Sequence, residues 1–181
     1  MLRNKERDKK YLGLSNQGAT CYMNSAIQTL FMTKEFRRSV YAWRYNEDIH
    51  GSKEYCIVYQ LQKLFASLQM SFKDSIDTKA LTKSFGWNSS EAFQQQDVQE
   101  FLRVLFEALE QSFEIAGEKY TLTADLYEGT LSSYVSCKEC PYESNNEQQF
   151  LDIQLPIKNE FGTGVVNSSL EMAIENYLKP E

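Results

Sequence analysis

The chain has 181 residues, 42% of them hydrophobic and 24% charged, which suits a globular domain with a sizeable core and excludes a disordered chain. Its net charge of −6 argues against nucleic acid or an anionic membrane as partner and suits a basic protein partner. No run approaches the roughly 20 apolar residues of a membrane span, and the charged opening "MLRNKERDKK", residues 1–10, lacks the apolar core of a signal peptide.

Residues 11–116 carry helical periodicity; residues from about 120 to 158 carry strand patterns and turn residues. There is no internal repeat and no low-complexity tract. The spacing predicts a first helix over 22–32, with Ile27, Leu30 and Phe31 inward, and a second over 34–43, with Phe36, Val40 and Tyr41. "YNEDIHGSKE" reads as a polar loop. From 54 to 70 an amphipathic helix is predicted, with Ile57, Leu61, Leu64, Phe65 and Leu68 at helical spacing and Cys56 beside them in the core. Thr78 is placed to cap a short helix ending near Gly86 and burying Leu81 and Phe85.

"QQQDVQEFLRVLFEALEQSF" has the clearest helical pattern. Asp97 and Glu100 have capping-box spacing, and Val98, Phe101, Leu102, Leu105 and Leu109 make one apolar stripe, read as core. "GTLSSYVSCKEC" reads as a strand running into a CxxC turn. "FLDIQLPIK" alternates, with Leu151, Ile153 and Leu155 on one face and Pro156 near its end, as a strand does. "SSLEMAIENYLKPE" begins a last helix with Ser168 and Glu171 as its capping box and Leu170, Ala173, Ile174 and Tyr177 inward. That pattern breaks off soon after it starts, so the sequence is expected to continue.

The four cysteines are Cys21, Cys56, Cys137 and Cys140. With no secretion signal, a reducing cytoplasm or nucleus is expected, and the cysteines read as catalytic, metal-binding or buried rather than as a disulfide framework. Cys21 stands where a Gly-bracketed loop, "LGLSNQGAT", meets the first helix. A thiol at a helix start sits beside unpaired backbone N–H groups and the positive end of the dipole, which favour the thiolate, the competent nucleophile for acyl transfer. Asn16, five residues upstream, can offer its amide to an oxyanion. The plain alternative is a buried structural thiol.

The stretch "GLSNQGATCYMNSAIQTLF" resembles the cysteine box of the ubiquitin-specific proteases, the papain-like ubiquitin carboxyl-terminal hydrolases. "SSEAFQQQDVQEFLRVLFEALE" resembles that family's second box, and "YEGTLSSYVSCKEC…FLDIQLPI" is similar to its zinc-ribbon fingers. The pattern is closest to the herpesvirus-associated group within the family. The resemblance implies an α+β fold: a papain-like cysteine protease with a helical thumb over 11–116 and the start of β-rich fingers and palm over 117–181. It implies a deubiquitinase that hydrolyses the (iso)peptide bond at the ubiquitin C-terminus, with ubiquitin and ubiquitinated proteins as partners. By position, Cys21 is the nucleophile, Asn16 contributes to the oxyanion hole, and Gln95 and Asp97 hold the ubiquitin tail. For Asp97 the alternative is helix capping alone. Asn24 and Gln28 also match the box; Asn24 is expected to be a hydrogen-bond partner without a chemical role.

The family's base is a histidine oriented by Asp or Asn, in a downstream box absent from this chain. The only histidine, His50, lies in the polar loop and reads as an ordinary surface residue. This chain alone is therefore expected to be inactive, as part of a longer catalytic domain. Catalysis requires no cofactor. Cys137 and Cys140 form a candidate half of a zinc ribbon, whose tetrahedral site takes four ligands. A redox role for the pair lacks the expected strand–CxxC–helix unit. The competing functional class is a catalytically inert ubiquitin-binding or scaffolding module.

Overall fold

The computed structural model describes residues 12–87, 97–115, 117, 121–158 and 166–179. The chain divides into two compact units, one reaching to Leu126 and the other starting at Tyr127.

In the first unit, strand β1 (Gly13–Leu14) pairs in parallel with β2 (Ser75–Ile76), Gly13 opposite Ser75 and Leu14 opposite Ile76. Neither strand has an alternating pattern of its own; their partners are some sixty residues apart in sequence, so only the tertiary fold makes them strands. Helices α1 (Cys21–Met32), α2 (Lys34–Ala42), α3 (Glu47–His50), α4 (Ile57–Met70), α5 (Lys79–Ser84), α6 (Val98–Ile115) and α7 (Leu122–Tyr127) complete the helical elements up to the boundary.

The core lies among α1, α2, α4 and α6. It holds Met23, Ile27, Phe36, Val40, Val58, Leu61, Phe65, Phe101, Leu105 and Leu109, all buried. Burying one such side chain contributes about 1.5–3 kcal/mol. Phe65 meets Phe31 and Phe36 edge-on, at centroid distances of 5.3 and 6.3 Å. The helical periodicity of the sequence is thus the pattern of burial, with local differences. Phe31 and Phe85 are only half-buried, Val98 is exposed, and Phe106 and Phe113 join the buried face of α6.

Several expectations are corrected. The polar stretch 45–54 contains α3, whose cap Asn46 accepts a hydrogen bond from Asp48 N–H at 3.0 Å, so the local Asx chemistry starts a helical turn there. Cys56 is buried, as expected of a core thiol, but sits at the N-cap of α4 instead of on its stripe, and burial pushes its thiol up. Thr78 occupies the N-cap of α5 without capping it, and Asp77 Oδ1 accepts from Lys79 N–H at 2.7 Å.

The second unit contains an antiparallel hairpin, β3 (Gly129–Ser136) with β4 (Glu143–Phe150), in register from Gly129 opposite Phe150 to Ser136 opposite Glu143. The Phe150 ring lies directly over Gly129, so a Cβ there would force the ring to shift. The strand expected over 150–158 is not formed: the partner of β3 is the polar segment before it, and Leu151 and Ile153 are exposed. Helix α8 (Leu170–Tyr177) is capped one residue later than expected, by Ser169, whose Oγ accepts from Met172 N–H at 3.2 Å. Of its apolar face only Ala173 is buried; Leu170, Ile174 and Tyr177 are exposed.

Candidate functional site

The loop of residues 15–20 joins β1 to α1, and its shape is set by one amide. Asn16 Oδ1 accepts from Gly18 N–H, from Thr20 N–H and from Thr20 Oγ1–H, each at 3.1 Å. Two of these donors are backbone N–H groups, which fixes the amide's orientation: the oxygen faces the loop, and Nδ2 is left as a donor with no partner among the described residues. Gly18, at φ 126°, occupies a region that L side chains rarely adopt and lets the loop turn beneath Asn16. Thr20, fully buried, also accepts from Gln17 N–H at 3.1 Å.

Cys21 is the first residue of α1, and its side chain is exposed, which removes the buried-thiol alternative. Thr20 precedes it at the N-cap, but its hydroxyl is turned into the loop and makes no cap bond among the described residues. The first turn of α1 also carries no acidic residue. The N–H groups and positive dipole end therefore remain available to negative charge developing beside Cys21. The rest of α1 stitches the loop down. Asn24 Nδ2 donates to Ser15 O at 3.3 Å and Gln28 Nε2 to Leu12 O at 2.8 Å, while Ser15 N–H donates to Ile76 O at 2.9 Å. Asn24 has the supporting role expected of it.

Asp97 stands at the start of α6, exposed, with Oδ1 accepting from Gln99 N–H at 2.8 Å. One helical turn on, Phe101 meets the ring of Tyr22 edge-on at 6.3 Å. Tyr22 follows Cys21, so this contact brings the starts of α1 and α6 to the same end of the first unit. Phe85 and Trp87 pack on the same Phe101 ring at 5.6 and 6.1 Å. Burial, then the neighbouring Cys21, push the Tyr22 phenol up, keeping it neutral beside the thiol. Gln95 lies outside the described residues.

His50 is not the free surface histidine expected. Its Nε2 bonds Ser112 O at 3.2 Å and its Nδ1 meets Asn46 N–H at 3.0 Å, with the ring 4.7 Å from that of Trp43. Nδ1 also lies 2.9 Å from Asn46 O, and which ring nitrogen donates depends on the tautomer. The Nε2 contact docks α3 on α6, while Nδ1 closes back on Asn46, the cap of α3, so both nitrogens are engaged.

Cys137 and Cys140 lie exposed in the turn between β3 and β4. Cys137 Sγ accepts from Glu139 N–H at 3.4 Å; that bond, then the side chain and N–H of Cys140, hold its thiol below the usual value. Backbone N–H groups aimed at a sulfur suit a metal-bound thiolate, and the two thiols amount to half of a tetrahedral zinc set. Among the described residues no group of three or more His, Cys, Asp and Glu could hold a metal ion.

The residues that the sequence did not single out for the site are Gln17 and Thr82, which with Thr78, read from the sequence only as a helix cap, bind the loop to α5, and Tyr22, which docks α1 on α6. Gln17 lies inside the loop itself and is the only local signal.

The sequence pattern of the family described as ubiquitin carboxyl-terminal hydrolase matches residues 12–175. The chain belongs to that family. Its relatives include the protein named ubiquitin carboxyl-terminal hydrolase 47 from Xenopus tropicalis, 49% identical over 174 residues. The proteins of the same name from Drosophila melanogaster and Homo sapiens are each 47% identical over 171 residues. The matches cover 94–96% of this chain but only 11–13% of those relatives, so the chain spans a small part of their length. Family membership carries the papain-like α+β fold, in accord with the mixed helices and small sheets.

Proposed function

We propose that this chain carries the attacking part of a cysteine-type deubiquitinase, which hydrolyses the (iso)peptide bond at the ubiquitin C-terminus. The observation that carries the proposal is the exposed Cys21 on the uncapped start of α1, beside an Asn16 whose oxygen is tied inward and whose Nδ2 is left to donate. Family membership supports the same reaction. The Cys21 sulfur attacks the carbonyl carbon at the ubiquitin C-terminus; a C–S bond forms and the carbonyl oxygen takes the charge. Asn16 Nδ2 and the free N–H groups of α1 stabilise that oxyanion. The C–N bond then breaks, the amine leaves with a proton, and water hydrolyses the thioester to a carboxylate. Asp97, with one oxygen engaged in its cap, is assigned to the ubiquitin tail together with Gln95.

The proton donor and base come from outside these 181 residues in this proposal, because both nitrogens of His50 are engaged. Residues 11–116 are assigned to the thumb and residues 117–181 to the start of fingers and palm. Cys137 and Cys140 are assigned to half of a structural zinc site, with two ligands supplied from elsewhere. Cytoplasm or nucleus is the proposed location. Partners are ubiquitin and ubiquitinated proteins, not nucleic acid or membrane; no helix among the described residues is long and apolar enough to cross a bilayer.

The test is incubation of the chain with ubiquitin bearing a C-terminal electrophile. Covalent labelling that disappears in Cys21→Ala is expected. Ubiquitin binding without labelling would favour the inert binding module, which the engaged His50 makes the second reading for this chain alone.

A further inference from the structure

Thr78 departs from what its position offers. It is the N-cap of α5, where a threonine hydroxyl ordinarily accepts from its own helix, and it makes no such bond among the described residues. Instead its Oγ1, almost fully buried, accepts from Gln17 Nε2 at 2.7 Å. One turn on, the buried Thr82 hydroxyl donates to Gln17 Oε1 at 3.3 Å, sharing its proton with Lys79 O at 3.0 Å. Gln17 has its own N–H on Thr20 Oγ1, and the Thr20 hydroxyl in turn donates to Asn16 Oδ1. A continuous hydrogen-bonded path therefore runs from α5 to the amide that shapes the nucleophile loop. The half-buried Gln17 side chain is long enough to reach solvent, and the Thr78 hydroxyl had a local helix to cap; neither local solution is used. A tertiary bond that displaces a local one marks a site where geometry has taken precedence over helix propensity.

We propose that Gln17, Thr78 and Thr82 are positioning residues, a clamp by which the start of α5 sets the aim of Asn16 Nδ2 and Cys21 Sγ. The inference rests on the deubiquitinase reading of those two residues. Loss of the clamp leaves Cys21 exposed and reactive toward a small reagent. It slows attack on a large substrate, because that attack requires thiol, oxyanion donor and carbonyl in register, and small misplacements cost up to about 10²-fold.

The test uses the whole chain with Thr78→Val, which keeps the shape and removes the hydroxyl, and Thr78→Ser, which keeps it. Labelling of Cys21 by ubiquitin carrying a C-terminal vinyl methyl ester is followed by mass spectrometry beside alkylation by iodoacetamide. Amide exchange at Gly18 and Thr20 is measured by NMR. In Thr78→Val, ubiquitin labelling is expected to slow about 10-fold or more, alkylation to stay within about twofold, and both amides to exchange faster. Thr78→Ser is expected to restore all three. Should Thr78→Val fail to melt cooperatively, Gln17→Met, which removes the Thr78 bond and the Thr82 bond together at a half-buried position, takes its place. Wild-type ubiquitin labelling in the variant overturns the clamp, as do wild-type amide exchange and a serine variant that stays slow. A wild-type chain that the ubiquitin probe does not label defeats the deubiquitinase reading instead, and the amide exchange then decides the clamp by itself.

Discussion

Asn16 joins two tasks in one amide, and the two are separable by substitution. Its oxygen holds Gly18 and Thr20, and its Nδ2 remains for the oxyanion. Asn16→Asp keeps an acceptor for both N–H groups and deletes the donor. Loss of one oxyanion donor costs about 10²–10³ in rate. Asn16→Asp is therefore expected to melt like the parent chain while acylation of Cys21 by a ubiquitin C-terminal thioester, which passes through the oxyanion, falls about 10²-fold. Acylation kinetics beside a thermal melt check this; unchanged acylation would remove Asn16 from the oxyanion site. His50 shows the limit of reading a residue by its neighbours. It lies in a polar stretch, yet its ring bonds Ser112, 62 positions away. No local pattern announces a partner at that separation.

At the scale of the element, cap chemistry tolerates one-residue shifts. Ser168 and Ser169 are both competent caps, and the backbone of α8 uses Ser169. Glu171 then sits in the first turn. Its own backbone N–H, then the Ser169 hydroxyl, hold its carboxyl below the usual glutamate range. A depressed folded value means that this contribution to α8 is fully present above the unfolded value and is lost as the pH falls through the folded one. A carbon-detected NMR titration of the Glu171 carboxyl is expected to show a midpoint below that of the same chain unfolded in denaturant, with α8 protection factors falling as it protonates. A midpoint at or above the unfolded one, or a loss of protection that persists in Glu171→Gln, would contradict this. The strand expected over 150–158 carries a second lesson. Alternation in "FLDIQLPIK" marks an apolar face, but pairing depends on backbone register across a turn. The polar run Glu143–Phe150 lies directly across the CxxC turn from β3, and Phe150 closes the ladder over Gly129.

For the whole molecule, the two units differ in what protects their backbone. In the first, α4 and α6 bury continuous apolar faces. In the second, both strands of the hairpin are exposed along nearly all their length. A two-stranded hairpin is marginal in water by itself. Hydrogen exchange read by mass spectrometry is expected to find the centres of α4 and α6 slowest and β3 and β4 exchanging well before them. Equal protection in the two sets would mean that the hairpin has cover in solution that its sequence and exposure do not indicate.

The sequence by itself determined the longer helices α1, α2, α4 and α6, because a 3.6-residue apolar period needs only one buried face to be satisfied. It also placed Cys21 at a loop–helix seam with Asn16 upstream, because loop, glycine and helix signals are all local. The tertiary structure alone decided that the Thr78 hydroxyl bonds Gln17 instead of capping α5, which segment pairs with β3, and that His50 is engaged. Each of these depends on a partner far away in sequence or on the register between two segments, and a local pattern contains no information about either.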